Sequence, residues 1–338
     1  MDSLSKTLAD KGKTKAEGRI GALTALKAIL TDGGKAAEPF VAPLLAEMLD
    51  SLSDKFKPVA SAGESAIEAL TSTLSAHAVR FVLPAILNED SGKWQCNLGR
   101  AQLLGVLADK FPAQTRRCLT EIIPCVGSLV WDTKPVVKAA AVEALRKVAS
   151  TMTNKDLTDF IPEIIECIQN PELVAECVHK LAGVVFVQEI DASALAIMAP
   201  LLKRGFDEPT TAIKRNTARI VENMAKLVDD PYEVAPFVPL LLPALTRAKE
   251  EVSDPECRNV CSKAHEQLSL TSTKPPVWKR IEVDEVKARI VKICNQVQKK
   301  HFFSLSLNVA PPLLPYVQEL IHKKKKKICF LSLPRTSW

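Results

Sequence analysis

Six prolines in near-constant register constrain this chain more than any other feature of it. Pro43, Pro84, Pro124, Pro162, Pro200 and Pro239 each sit in a short apolar segment: FVAPLL, FVLPAI, EIIPCV, FIPEII, IMAPLL and FVPLLL. The intervals between them are 41, 40, 38, 38 and 39 residues. Self-similarity at such a period marks a repeated supersecondary unit. After five of the six prolines a good helix N-cap residue follows, namely Asp54, Asp132, Asn170, Asp207 or Asp254. A second stretch then carries apolar residues at helical spacing, as in Val137, Ala141, Ala144, Leu145 and Val148, or Ile213, Ile220, Met224 and Leu227. Pro58, Pro135, Pro171, Pro209 and Pro255 lie near the first turn of these stretches, where a missing N–H is harmless.

Each unit therefore reads as two helices joined by a short loop, the HEAT type of helical hairpin. One hairpin cannot bury its apolar face alone, so the hairpins must stack. The expected fold is all-α, an α-solenoid of about six to seven HEAT-type hairpins followed by a short helical segment. Scarce glycine (12 residues) and 5% aromatics agree with helix rather than strand. The expected organisation is a polar N-terminal arm at 1–15, the solenoid at 16–270 and a helical extension at 271–322. Residues 323–338 read as a basic tail, either disordered or the product of a shifted reading frame. Residues 16–30 supply an amphipathic capping helix, and the ladder prolines are expected to start or kink the first helix of each hairpin.

The formal net charge of +6 suggests a nucleic-acid partner until it is located. Lys323, Lys324, Lys325, Lys326, Lys327 and Arg335 lie in the last 16 residues without an acid, and the remainder is balanced at 39 basic against 39 acidic residues. Bulk charge therefore says nothing about the folded part. The longest apolar runs, Ala194 to Leu202 and Phe237 to Leu245, are nine residues, far short of the roughly 20 that span a bilayer. The N-terminus has no apolar h-region. Nine scattered cysteines without a signal peptide read as reduced, buried thiols in a cytoplasmic protein.

Catalytic chemistry is sparse. Gly12-Lys13-Thr14 supplies the end of a phosphate-binding loop, but Thr7 stands where its first glycine belongs and no strand precedes it. Cys257, Cys261 and His265 share one helical face at i, i+4 and i+8, yet a closed metal site needs a fourth ligand and none is suggested nearby. Buried thiols beside an edge histidine are the expectation, and His77 and His179 read as structural. No catalytic residue, metal or cofactor is expected in this chain. Charge does alternate along it: residues 154–191 are acidic, while Lys134, Lys138, Arg146 and Lys147, and then Lys203, Arg204, Lys214, Arg215 and Arg219, form basic blocks. Either block is an ordinary solvated face or a row that meets phosphate. Trp94 and Trp131 are expected to wedge between repeats; exposure of both would instead indicate a contact surface.

The residues also carry a resemblance. Trp131-Asp132-Thr133-Lys134 followed by VVKAAA, and Lys93-Trp94-Gln95, resemble repeat motifs of the translation elongation factor 3 family. Residues 159–245, with TTAIKR, NMAKLVDDP and VAPF, are similar to the N-terminal HEAT domain of that family, and the likeness covers roughly 20–265. It implies translation elongation: a ribosome-binding domain, with rRNA and ribosomal proteins as partners and the tRNA-delivering elongation factor as another. Membrane and DNA are not implied. Family members are ribosome-dependent ABC-type ATPases that help deacylated tRNA leave the exit site, so ATP and magnesium belong to the cassettes behind the HEAT domain. Neither cassette is in this sequence, so only docking carries over. Lys214 and Arg215 of TAIKR, and Lys134 and Lys138 of the WDTK helix, are the positions the resemblance supplies, with Lys203, Arg204 and Arg219 as neighbouring candidates. Two other readings remain: a scaffold of the translational-stress kinase-activator type, which shares these repeats, and a generic HEAT adaptor using the acidic 154–191 surface.

Overall fold

A computed structural model describes residues 2–88 and 92–274. The expected extension and basic tail lie, from residue 275 on, outside the described residues. Within them the chain is an α-solenoid. Helices α1 (Asp2–Ala9) and α2 (Ala16–Gly33) open it. The first hairpin pairs a broken helix, α3 (Glu38–Val41) and α4 (Leu45–Ser51), with α5 (Lys57–Thr73). The second pairs α6 (Val79–Leu87) with α7 (Trp94–Lys110). The third has α8 (Pro112–Arg117), α9 (Leu119–Leu129) and α10 (Pro135–Ser150). The fourth is short, with α11 (Lys155–Thr158), α12 (Ile161–Gln169) and α13 (Val174–Leu181). The fifth is α14 (Ala192–Asp207) and α15 (Thr211–Leu227), and the sixth is α16 (Pro231–Val234), α17 (Val238–Glu251) and α18 (Pro255–Thr273).

The ladder prolines act as the register demanded. Pro43 falls in a 3-10 turn that splits the first helix into α3 and α4. Pro84, Pro124 and Pro200 lie inside α6, α9 and α14, and Pro162 and Pro239 begin α12 and α17. Five of the six are exposed and Pro200 is half-buried, and at the starts of α12 and α17 the missing N–H costs no intrahelical bond.

The closest stacking joins long helices in pairs, α2 with α5, α7 with α10 and α15 with α18. The buried faces of α2 (Leu23, Leu26, Leu30) and α5 (Val59, Ala66, Leu70) meet, as do those of α7 (Leu104, Leu107) and α10 (Ala141, Ala144, Leu145). At α15 and α18, Ile220 and Met224 pack with Cys257, Cys261 and Leu268. Close approach has a local cause at Gly205, where a Cβ would stand 2.4 Å from Thr217 Oγ1, so α14 and α15 touch there only because glycine has none. The short fourth hairpin brings the first helices on either side of it together, and α14 packs on α9 as well as on α12.

Three expectations change. Residues 2–9 form a helix rather than a polar arm, because Leu8 is buried as α1 packs on α2 and α4. Of the anticipated caps, Asp254 accepts the N–H groups of Glu256 and Cys257 at 3.1 and 3.3 Å. Asp54 and Asp132 instead stand two residues ahead of the cap and accept from Phe56 and Lys134 N–H at 3.0 and 2.9 Å, an Asx turn that orders the approach to the helix. Asp207 is the last residue of α14, and Asn170 flanks a 3-10 turn without a side-chain bond.

Arginines tie helices together, Arg19 to the loop of the first hairpin and Arg100 and Arg258 within their own hairpins. Arg19, 2% exposed, binds Asp54 at 2.9 Å and the Asp10 and Gly12 carbonyls at 2.7 and 3.0 Å. Arg100 Nε reaches the Ile86 carbonyl near the C-terminus of α6 at 2.5 Å. Arg258 does the same for Val252 and Ser253 past α17, at 2.9 and 3.0 Å. Asp54→Asn, which leaves the Arg19 guanidinium buried without its anion, is expected to destabilise the solenoid by about 3–5 kcal/mol in chemical denaturation. An Arg19→Met, Asp54→Leu double variant should recover much of that loss.

Candidate nucleic-acid interface

The loops that join the two helices of each hairpin lie along one edge, and polar bonds join consecutive loops. Arg19 at the start of α2 binds Asp54 in the first loop. Lys93 in the second loop reaches back to Ser53 Oγ at 3.0 Å and to Asp50 at 3.8 Å. Asn97, in the first turn of α7, donates to Asp132 of the third loop at 2.9 Å. Arg19 and Asn97 each occupy the fourth position of their helix, so one geometric relation recurs along the stack.

On this edge the aromatics are at the surface. Phe56, Trp94 and Trp131 are 37%, 39% and 48% exposed, in the first, second and third loops respectively. The expected wedge between repeats is therefore not what the two tryptophans form. Trp94 is the first residue of α7 and Trp131 precedes α10, where Arg204 of the fifth hairpin reaches its ring. Lys55, Lys57, Lys134 and Lys138 are exposed beside them and make no ion pair among the described residues. Among the described residues, three acids of the edge are engaged. Burial alone would raise Asp54, but the Phe56 N–H, the Arg19 guanidinium and Lys11 together hold its carboxyl below the ordinary value. Burial likewise opposes Asp132, and the Lys134 N–H, Asn97 and Thr133 bring it below that value. Asp50 is paired with Lys11.

The second basic block is less open. Arg204 donates to the Cys167 and Ile168 carbonyls near the end of α12 at 2.9 and 3.0 Å, and its guanidinium lies 5.6 Å from the Trp131 ring centroid. This cation joins the third, fourth and fifth hairpins. Arg215 is paired with Glu256 at 2.6 Å, tying α15 to α18. Lys214 is half-buried in a cleft of about 340 Å³ that Asp207, Arg247 and Glu251 also line. Lys203 and Arg219 are exposed and make no ion pair among the described residues. The structure thus brings Trp131 and Arg204 together, keeps Lys134 and Lys138 on the loop edge, and commits Arg204 to carbonyls of α12 and Arg215 to a surface pair with Glu256. Lys55, Phe56 and Lys57 escaped the reading of the sequence. Their alignment with the WDTK loop across one repeat period was the available signal.

The cysteine and acidic clusters have structural roles here. Cys257 and Cys261 are fully buried with sulfurs 4.0 Å apart, and Cys257 Sγ lies 3.7 Å from the Thr211 carbonyl. Burial raises both thiols, Cys261 to about 12, so they pack α18 on α15 as protonated, weakly hydrogen-bonding groups. Of the acidic stretch, Asp156 accepts the Val187 and Gln188 N–H groups at 2.7 and 2.8 Å, and Asp191 caps α14 through Ala194 at 3.0 Å. Glu233 is different: its Oε2 is buried without a partner, and burial, with Asp191, Glu189 and Asp230 nearby, raises its carboxyl to about 7.

These features define the class: a helical-repeat protein with no assembled catalytic centre among the described residues, whose edge offers lysines and aromatics. Comparison with known proteins supplies the family. Residues 1–145 match the family model described as EF3 N-terminal HEAT repeat, and residues 172–276 match the Elongation factor 3/GNC1 HEAT repeat. Elongation factor 3 of Phytophthora infestans is 40% identical over 255 residues, 75% of this chain and 25% of that protein. Elongation factor 3B of Saccharomyces cerevisiae is 38% identical over 270 residues, 79% of this chain and 26% of that protein. The chain therefore carries the N-terminal HEAT-repeat domain of the elongation factor 3 family, and it spans about a quarter of the length of these relatives. Among solved structures, a designed armadillo repeat protein in complex with peptide (KR)4 aligns over 79% of this chain and 98% of its own at 15% identity, with a TM-score of 0.33.

Glu233 gives a pH test of this part of the fold. Its folded value lies above the ordinary 4.5, so the folded state holds the extra proton between about pH 4.5 and 7. Stability should therefore fall as pH rises through that window. Glu233→Gln is expected to flatten the fall and to raise the melting temperature at pH 8, as read by circular dichroism.

Proposed function

We propose that this domain docks an elongation factor 3-like protein onto the ribosome, contacting rRNA and ribosomal proteins through the loop edge. The observation that carries the reading is the set of unpaired lysines on that edge, Lys55, Lys57, Lys134 and Lys138, in a chain whose relatives are elongation factors. Phosphate contacts fix position without reading sequence, and they need cations not already committed to carboxylates. Lys203 and Arg219 meet that condition too; Arg204 and Arg215 hold hairpins together first.

In the longer protein, the remaining three-quarters would supply ATP and magnesium chemistry, and the domain would position that machinery in the cytoplasm during elongation and exit-site tRNA release. The tRNA-delivering elongation factor is the further partner of this reading. A scaffold of the translational-stress type is the second reading, favoured by the family description of residues 172–276, which names both groups. In-frame downstream sequence separates the two: nucleotide-binding cassettes support the first, and further helical repeats support the second.

The full chain is expected to co-sediment with ribosomes, with binding that weakens steeply between low and physiological salt. Lys134→Glu with Lys138→Glu should weaken it at least tenfold and leave the melting curve nearly unchanged, because neither side chain is buried. Binding that is absent, or indifferent to salt, would overturn the docking reading.

A further inference from the structure

The aromatics of the loop edge are placed by the repeat. Phe56, Trp94 and Trp131 fall in three consecutive inter-helix loops, each beside at least one lysine: Lys55 and Lys57, then Lys93, then Lys134 and Lys138. The bonds from Lys93 to Ser53 and from Asn97 to Asp132 make the three loops immediate neighbours. The loops of the fourth and fifth hairpins, at Asn170 and Thr210, bring no aromatic, so the series is confined to the first three. An exposed indole or phenyl ring costs solvation, and three of them at one structural position form a surface rather than a scatter.

We infer that this series is a binding track for unpaired RNA, in which bases stack on Phe56, Trp94 and Trp131 while Lys55, Lys57, Lys134 and Lys138 hold the phosphates. The inference rests on the docking reading above and names the RNA chemistry that the edge selects. Two observations favour an unpaired strand over a duplex or an acidic protein. Lysines alone would serve any polyanion, but base faces are what flat rings add affinity for, and a duplex keeps those faces stacked inside. Among the described carboxylates of the edge, Asp50 is paired with Lys11 and Asp54 with the Arg19 guanidinium, which leaves Lys55 and Lys57 without an ion pair beside Phe56; Asp132 keeps its charge next to Lys134. Arg204 stands over the Trp131 ring at 5.6 Å, which orients the indole and leaves it nearly half exposed.

The test uses the full chain carrying Trp278→Phe and Trp338→Phe, so that Trp94 and Trp131 report alone. Titration with a single-stranded 12-residue oligouridylate should quench their fluorescence saturably, whereas a duplex of equal length and polyglutamate should bind weakly and without quenching. Phe56→Leu and Trp94→Leu keep apolar bulk but remove the ring, and each should weaken oligouridylate binding about tenfold with unchanged circular dichroism. In a third variant, Lys55, Lys57 and Lys134 become Gln, which should weaken binding and reduce its salt dependence while the residual quenching persists. Equal affinity for duplex, competition by polyglutamate at equal charge, or leucine variants that bind like the parent would overturn the track. Retained ribosome co-sedimentation without oligouridylate binding would overturn it and leave the docking reading standing; loss of both would remove the two together.

Discussion

A helical hairpin of about 39 residues has an apolar face it cannot cover, and everything in this domain follows from covering it with the next hairpin. Long helices in pairs make the closest contact, α2 with α5, α7 with α10 and α15 with α18. Hydrophobic stacking alone is non-directional, so it does not set how far one hairpin slides on another. Polar links do: Arg19 to Asp54, Lys93 to Ser53, Asn97 to Asp132 and Arg215 to Glu256 each join one hairpin to the next, 35 to 41 residues along the chain. Because these links lie at the loops or first helical turns, the same bonds that set the stacking register also align the loop residues into an edge.

That coupling explains why stability and surface chemistry are interleaved here. Asp54 and Asp132 order the helix starts through backbone N–H groups and also receive a donor from the preceding hairpin. Asp54 is thereby paired with a buried guanidinium rather than with Lys55 or Lys57, whereas Asp132, held by neutral donors, keeps its charge beside Lys134. Arg204 shows the opposite use of a cation. Its two carbonyl partners near the end of α12 and its place over Trp131 bind three hairpins at the point where the fourth is too short to separate its neighbours.

The architecture was largely legible in the sequence because its determinants are local and repeated. A proline every 38 to 41 residues declares where each first helix begins or bends, and apolar spacing declares which face is covered. The misreadings have one source. Trp94 and Trp131 read from size and position as wedges between repeats, with a contact surface as the alternative, and their 39% and 48% exposure is set by packing that the sequence does not display. Residues 2–9 look polar in one dimension, and Leu8 became buried only when α2 and α4 arrived to receive it. Arg204 and Arg215 looked like solvated charge because their partners, at 167–168 and 256, are remote in sequence.

The sequence by itself determined the repeat, the class of fold and the family, since each is carried by periodicity and by motifs contiguous along the chain. Tertiary structure alone decided which cations are available. A lysine or arginine is free or committed according to what the adjacent hairpin presents to it, and that is set by stacking across a full repeat length. Stacking left Lys55, Lys57, Lys134 and Lys138 unpaired beside Phe56, Trp94 and Trp131, and it turned Arg204 and Arg215 into fasteners.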